Sequence, residues 1–91
     1  MSNASRDLEL LRFELLSIDR AVIALLSERM HLSKKIGKCK KSLDLPIDQP
    51  DVWEEMSIHR FEFGKEQQLT HEFIDSVFKA IHNQSKLEQN Q

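Results

Sequence analysis

The sequence has few of the residues that mark disulfide-bonded or membrane-spanning proteins. It contains one cysteine, two glycines, two prolines and no tyrosine among its 91 residues. Cys39 has no second cysteine to pair with, which fits a reducing compartment, and its position favours a small apolar role over a nucleophile. No apolar run is long enough to span a bilayer and no signal peptide is visible, so we expect a cytoplasmic protein without membrane contact.

The charge balance and the histidine spacing exclude further classes of partner. The chain has 13 Lys and Arg against 15 Asp and Glu, a net charge of -2. Without a basic excess to displace counterions from phosphates, nucleic acid is not an expected partner. The four histidines have no spacing typical of a metal site. We therefore expect no metal ion.

Length and composition fit one small folded domain. A chain of 91 residues is too short for two independent cores, and 40% hydrophobic with 31% charged residues is ordinary for a globular protein. The first five residues, MSNAS, partly resemble an expression-vector remnant. We expect residues 1–6 to be a disordered N-terminus and residues 7–91 to form the functional domain.

The stretch from Asp7 to Lys41 predicts one long amphipathic helix. At about 1.5 Å per residue it would be roughly 50 Å long, whereas a globule of this size is about 25 Å across. We therefore expect the helix to extend beyond its own domain and a second copy of the chain to cover it. Its apolar residues recur in steps of three and four, the spacing of a helix that packs along another helix: Leu8, Leu11, Leu15, Ile18, Val22, Leu25, Leu32, Ile36 and Cys39.

Two shorter helices are predicted to follow. Pro50 suits the first position of the second helix, with Gln49 as its cap and Gly64 at its end. Thr70 is the predicted cap of the third helix. Gly37 lies inside the first helix, where it favours close packing rather than a stop. No strand pattern occurs, so the predicted fold is all-α with three helices.

Four polar residues interrupt these apolar faces. Arg29 occupies a position where an apolar residue is due, and burying a guanidinium is costly unless an anion meets it. Lys40 lies close to three turns further, roughly 16 Å along the axis, on the same face. Ser85 and Gln89 share a face one turn apart on the third helix. Carboxylates of a partner chain could meet the two cations, but all four positions together favour a pocket for a small anion.

Arg12 and Trp53 lie outside this set of four residues. Arg12 lies about 25 Å from Arg29 along the same helix, too far for both to hold one small molecule. In an antiparallel dimer Arg12 of one chain would approach Arg29 of the other, although a solvated surface arginine fits the spacing equally well. Trp53 is interpreted as a core or pocket-wall residue rather than a recognition anchor.

Several short motifs, taken in order, resemble a known family. The sequence is similar to the all-helical, type II class of chorismate mutases from Leu8 to Gln89. No single motif is specific, and the resemblance depends on their order and spacing together. The matching segments are Leu11-Arg12, Ile18-Asp19, residues 25–30 (LLSERM), residues 36–40 (IGKCK), Leu45-Pro46-Ile47, and Ser85 with Gln89.

The resemblance implies an intertwined homodimer of three-helix chains with two sites shared between chains. It implies an isomerase that converts chorismate to prephenate by an intramolecular Claisen rearrangement, on the way to phenylalanine and tyrosine. In that family Arg29 and the partner subunit's Arg12 would hold the two carboxylates of the dianionic substrate. Lys40 and Gln89 would donate to the ether oxygen, and Ser85 would assist at a carboxylate. No cofactor is implied.

The chain departs from the family pattern at the start of the second helix. The common version has an acidic residue followed by Arg-Glu, where this chain has Gln49, Val52 and Trp53. Gln49 and Trp53 resemble a branch with a Gln-x-x-Arg-Trp pattern, and all three remain predicted substrate-binding positions. Val52, however, removes a cation expected at the mouth of the site. Either another base such as Lys86 replaces that cation, or the activity is lowered or the substrate differs.

Three alternatives to a chorismate mutase therefore stay open. Isochorismate-pyruvate lyase and aminodeoxychorismate mutase are activities of the same fold on related substrates. A catalytically idle helical dimer, acting as a binding or regulatory module, is an alternative from a different class. The missing cation at Val52 is the feature that keeps these alternatives in view.

Overall fold

The computed structural model describes residues 3–91, which form three helices. Helix α1 spans Asn3–Ser42, α2 spans Pro50–Glu66 and α3 spans His71–Gln89. No strand occurs in this part of the chain, so the all-α prediction with three helices is confirmed. Among residues 3–91, no helix combines the length and apolarity that crossing a bilayer would require.

Helix α1 begins earlier than the sequence predicted. It starts at Asn3 rather than near Asp7, because residues 3–6 contain no proline or glycine that would stop the helix. Residues 3–6, predicted to belong to the N-terminal tail, are thus part of α1, while Met1 and Ser2 lie outside the described residues. With 40 residues, α1 is about 60 Å long and sets the 63 Å dimension of the molecule.

Helix α3 packs against both α1 and α2, while α1 and α2 do not approach each other in the described chain. The packing between α2 and α3 centres on Ile74, the one large hydrophobic side chain among residues 3–91 that is buried. Gly64 lies opposite: a Cβ added there would be 2.8 Å from Cγ1 of Ile74. Because α1 and α2 contact α3 but not each other, a space opens between them above α3.

Helix α2 ends two residues after the predicted end at Gly64. The helix continues to Glu66, and Gln68 then adopts a left-handed conformation with φ of 63°. The N–H of Leu69 donates to the carbonyl of Gly64 at 2.8 Å and the N–H of Gln68 to that of Lys65 at 3.0 Å, the paired bonds of a Schellman motif. The residue in the left-handed position ends the helix, and Gly64 instead allows the close approach of α3.

The starts of α2 and α3 agree with the sequence prediction. Pro50 is the first residue of α2 and Gln49 precedes it as the N-cap, although the Gln49 side chain makes no capping hydrogen bond. Thr70 caps α3, its Oγ1 accepting a hydrogen bond from the N–H of Phe73 at 3.2 Å. These two helix starts therefore set the ends of the loops that follow α1 and α2.

The N-terminal half of α1 projects beyond the other helices. Every residue from Asn3 to Leu25 is exposed. The predicted apolar face of α1 therefore has no cover over this half within a single chain, and such a large exposed apolar surface is typical of an interface. Its large apolar side chains include Leu8, Leu11, Phe13, Leu15, Ile18, Val22 and Leu25.

Candidate active site

A cavity of about 310 Å³ occupies the space between the three helices. Its volume is at the small end of the range typical of small-molecule sites, roughly 300–1,000 Å³. All the predicted site residues except Arg12 line it: Arg29, Lys40, Gln49, Val52, Trp53, Ser85 and Gln89. The structure thus brings together residues that the sequence had placed on three separate helices and a loop.

Arg12 is not part of this cavity. It lies on the exposed half of α1, and the continuous helix separates it from Arg29 by about 25 Å along the axis. A single chain therefore does not bring Arg12 to the site. The contribution of Arg12 across a dimer remains a prediction.

A chain of hydrogen bonds joins α1 to α3 at one end of the cavity. The ammonium of Lys40 donates to Oε1 of Gln89 and to the carbonyl of Ile47, both at 2.7 Å. Gln89 in turn donates from Nε2 to Oγ of Ser85 at 3.3 Å, and the hydroxyls of Ser85 and Ser33 lie 2.5 Å apart. The three predicted residues Lys40, Gln89 and Ser85 are therefore linked by hydrogen bonds to one another, and through Ser85 to Ser33.

Ser33 was not identified from the sequence, although it is 3% exposed and bonded to a predicted site residue. A signal for it exists. Ser33 is one turn after Arg29 and seven residues before Lys40, so it lies on the same face of α1 as both cations. A serine on the face of α1 that packs against α3 is buried, and a buried hydroxyl forms a hydrogen bond within the protein.

Gly37 determines how closely α1 and α3 approach at this end. A Cβ added to Gly37 would lie 2.7 Å from Cα of Gln89, a distance that real Cβ atoms do not reach. The prediction that Gly37 allows close packing is therefore confirmed. Because the two backbones meet at this point, the side chains of Lys40 and Gln89 are within hydrogen-bond distance.

Arg29 meets no carboxylate in the described chain. Its guanidinium is half-buried, and its Cζ lies 5.8 Å from the ring centroid of Phe78. Desolvation lowers the pKa of Arg29 from its usual value, since burial disfavours the charged form. The ion pairs found among residues 3–91 are Lys34 with Glu88, Lys79 with Asp75, and Lys86 with Asp48.

Arg60 is a second cation of the cavity, and the sequence analysis did not assign it. Its Cζ lies 4.5 Å from the ring centroid of Trp53 and 4.8 Å from that of Phe78, and its Nη2 donates to Oγ of Ser57 at 3.2 Å. Desolvation, and then the charge of Arg29, lower the pKa of Arg60. The sequence pattern that identified Arg29, a guanidinium on an otherwise apolar helix face, is also present at Arg60.

Lys86 does not supply the cation that Val52 lacks. The Lys86 ammonium forms an ion pair with Asp48 at 3.3 Å, and Lys86 is not among the residues that line the cavity. Val52 does line the cavity, on the same helix as Arg60. Lys86, the base suggested from the sequence, therefore lies outside the cavity, and Arg60 is the additional cation near that wall.

His82 packs against Trp53 in the wall of the cavity. The two ring centroids are 4.1 Å apart with an angle of 34° between the planes. Burial is the main cause that lowers the pKa of His82; Lys86 and the two cavity arginines add to it, and Asp48 opposes it. The surroundings of His82 therefore favour the neutral imidazole in the absence of a bound anion.

The charged side chains that line the cavity are of one sign. Among the described residues, three cations (Arg29, Lys40 and Arg60) and no carboxylate line it. No group of three or more His, Cys, Asp or Glu side chains within residues 3–91 could hold a metal ion. An all-helical protein with a cationic cavity between its helices is the class that fold and site together define.

The chain belongs to the chorismate mutase type II family, whose profile matches residues 11–90. This membership confirms the resemblance described from the sequence. The chain is also similar to a solved structure described as a conserved hypothetical protein from Pyrococcus furiosus. The two share 34% sequence identity over 98% of this chain and 99% of that chain, with a TM-score of 0.71. No curated protein matches the chain.

Proposed function

We propose that this protein is a chorismate mutase, an isomerase that rearranges chorismate to prephenate in the biosynthesis of phenylalanine and tyrosine. Membership of the family supports this proposal. The observation that carries it is the pair formed by Lys40 and Gln89, 2.7 Å apart, in the same cavity as an Arg29 that no carboxylate of the described chain neutralises. These groups are donors for an anionic ligand.

The proposed reaction explains why a site of this kind is sufficient. One carbon–oxygen bond of the substrate breaks as one carbon–carbon bond forms in the same molecule, so no atom is gained or lost. The reaction needs no nucleophile, no general base and no cofactor. Its barrier falls when the flexible dianion is held in a compact, chair-like conformer. It falls further when cationic donors face the oxygen on which negative charge develops.

Lys40 and Gln89 are the proposed catalytic donors to the ether oxygen. The ammonium of Lys40 has three N–H bonds, of which two point to Gln89 and to the carbonyl of Ile47, so one is available to a ligand. Gln89 offers its amide N–H groups, one of which is bonded to Ser85. Arg29 is proposed to bind a substrate carboxylate, with Ser85 assisting.

The remaining predicted positions form the substrate-binding wall at the start of α2. Gln49, Val52 and Trp53 all line the cavity, and we assign them contact with the substrate rather than a chemical step. The aromatic ring of Trp53 and the apolar Val52 give one side of the cavity a lining from which a bound substrate would displace water. Excluding water strengthens every charge interaction inside the site.

We also propose that the protein acts as a homodimer in which the partner subunit's Arg12 completes each site. The proposal is supported by the exposed apolar face of α1 from Asn3 to Leu25 and by the 63 Å length of the chain. In an antiparallel pair, the 25 Å or so between Arg12 and Arg29 on one helix would place each near the opposite arginine of the other chain. Two carboxylates of one substrate would then meet cations from two chains.

The direct test is incubation of the purified protein with chorismate, isochorismate and aminodeoxychorismate in separate reactions. Each substrate gives a different product, so chromatography distinguishes a mutase from a lyase and from the amino-substrate enzyme. We expect prephenate from chorismate. If all three compounds remain unchanged and Arg29→Ala raises the melting temperature, the alternative of a helical binding or regulatory dimer replaces the proposal.

Variants then test the catalytic assignment. Lys40→Met should lower kcat/KM for chorismate by about 10²-fold or more, the effect of removing one fixed donor to a developing negative charge. Lys38→Met is the matched control, because Lys38 is exposed on the same turn of α1 and does not line the cavity. Equal turnover in the two variants would contradict the role of Lys40.

A further inference from the structure

We propose that Arg60 binds a carboxylate of the substrate, as a second cation contributed by the same chain as Arg29, and thereby determines specificity for a dianion. The inference rests on the proposed function, because it names a further residue of that site. It starts from the position of Arg60 in the wall of the cavity, on the helix where Val52 offers no charge.

The guanidinium of Arg60 is held in place in a way that leaves donors available. Its Cζ lies 4.5 Å from the ring centroid of Trp53 and 4.8 Å from that of Phe78, both within the range of a cation–π contact. One nitrogen donates to Ser57 at 3.2 Å. A guanidinium has five N–H donors directed from its edge, so those not used by Ser57 are available to a carboxylate.

The two cavity arginines repel one another in the absence of an anion. Their Cζ atoms lie 5.8 Å and 4.8 Å from the centroid of the same ring, that of Phe78. Burial and the charge of Arg29 lower the pKa of Arg60, which is the direction expected for like charges in a partly desolvated site. No carboxylate among the described lining residues offsets this repulsion.

A ligand with two carboxylates would relieve this repulsion more than a ligand with one. Each carboxylate can accept paired hydrogen bonds from one guanidinium, which fixes its orientation as well as its distance. Two guanidiniums lie near the Phe78 ring in a cavity of about 310 Å³ that has no lining carboxylate. This arrangement therefore suits a small dicarboxylate. Arg60 would provide the charge that the Val52 position lacks.

The experiment measures binding of a bicyclic dicarboxylate that mimics the chair-like transition state. Trp53 is the only tryptophan in the sequence and lies against Arg60, so its fluorescence should report occupation of the cavity. Titration calorimetry gives the same Kd independently. Arg60→Met should raise the Kd by about tenfold or more, since it removes a charge-assisted hydrogen bond, and should raise KM for chorismate in parallel.

Two further variants separate charge from packing. Adding Val52→Arg to Arg60→Met returns a cation to the same wall of the cavity and should recover part of the lost affinity, by more than Val52→Arg adds to the wild type. Equal gains in the two backgrounds would mean that Arg60 does not contribute a charge to binding. Lys79→Met is the control, because Lys79 pairs with Asp75 on α3 and its side chain is 67% exposed. Its Kd should equal that of the wild type. If Arg60→Met does not fold, Arg60→Gln is measured against the same criterion.

The outcomes distinguish this inference from the proposed function. If Arg60→Met or Arg60→Gln binds the dicarboxylate as tightly as the wild type while Arg29→Met binds it weakly, Arg60 only packs and the chorismate mutase proposal stands. If the wild type turns over chorismate and the double variant recovers no affinity, the assignment of Arg60 as a charge-bearing contact is overturned. If the wild type neither binds the dicarboxylate nor changes chorismate, both proposals are overturned.

Discussion

Lys40 and Gln89 are joined across α1 and α3 by a hydrogen bond of 2.7 Å, one turn beyond the point where Gly37 lets the two backbones touch. The position of the proposed catalytic pair thus depends on a residue that has no side chain. A larger residue at position 37 would separate the helices at the site itself.

Gly37→Ala should therefore lower both activity and stability. The added Cβ would meet the backbone of Gln89, which cannot rotate away, so α3 must shift. We expect the free energy of unfolding to fall by about 1–3 kcal/mol, as for other overpacked sites. We also expect kcat to fall at least tenfold, because small displacements of catalytic groups have large effects. Urea unfolding and steady-state kinetics measure the two effects.

Gly64→Ala is the matched control for that variant. Its Cβ would lie 2.8 Å from Cγ1 of the buried Ile74, so it would crowd a side chain rather than a backbone, and position 64 does not line the cavity. The gain in helix propensity of about 1 kcal/mol should offset much of the crowding. Kinetics of Gly64→Ala should match the wild type. Identical behaviour of the two alanine variants would show that the contact with Gln89 does not position the site.

Mixing two inactive variants should restore activity if sites are shared between chains. Arg12→Ala and Arg29→Ala should each be inactive as homodimers, because each of the two sites lacks one arginine. In a heterodimer one site lacks both arginines and the other has both, so exchange at equal concentrations should give about one quarter of wild-type activity per site if pairing is random. Recovery is followed by prephenate formation, with exchange verified by native mass spectrometry. Complete exchange without recovery would mean that Arg12 acts outside the site.

Gln68→Gly should stabilise the protein. Gln68 has a φ of 63°, a conformation that glycine adopts without the steric penalty of a side chain. We expect the free energy of unfolding to rise by about 1 kcal/mol. Gln67→Gly is the control, since Gln67 has a φ of -87°, where glycine only adds flexibility to the unfolded chain. That control should be neutral or destabilised, and a gain there equal to that of Gln68→Gly would argue against relief of backbone strain.

His82 should make the stability of the protein sensitive to acid. Since the folded state lowers the pKa of His82, the unfolded chain binds this proton more readily, and the free energy of unfolding rises with pH in the window below about 6.5. Stability is accordingly lost as the pH falls through that window. His82→Gln should reduce this loss, measured as the difference in unfolding free energy between about pH 7.5 and pH 5.5. An unchanged pH dependence would mean that His82 does not contribute.

The helices were predictable where the sequence carries a local signal. Pro50 acts through its own fixed backbone angle and Thr70 through its own hydroxyl, so the predicted starts of α2 and α3 were correct. The predicted end of α2 was not correct, because Gln68 adopts the left-handed conformation, which a glutamine does not usually adopt. Gly64 instead serves a tertiary contact with Ile74, and only the packed structure shows which of the two roles a glycine has.

The site was predictable as far as helical periodicity extends. Positions that share a face of one helix, such as Arg29 and Lys40, can be recognised from spacing alone, and both line the cavity. Arg60 carried the same signal as Arg29, a guanidinium on an otherwise apolar helix face, but its place in the cavity depends on which face of α2 turns toward α3. That orientation is a matter of tertiary packing, and it places the guanidinium against Phe78, a residue on a different helix.

The exposed first half of α1, from Asn3 to Leu25, makes the folding of this protein depend on its concentration. A helix draws most of its stability from burying one face, and here the described chain offers nothing that buries it. For the proposed dimer, the last step of folding is the association of two chains. Dilution alone would therefore destabilise the helix that carries Arg12. The amount of protein present then helps to decide how much of it is folded.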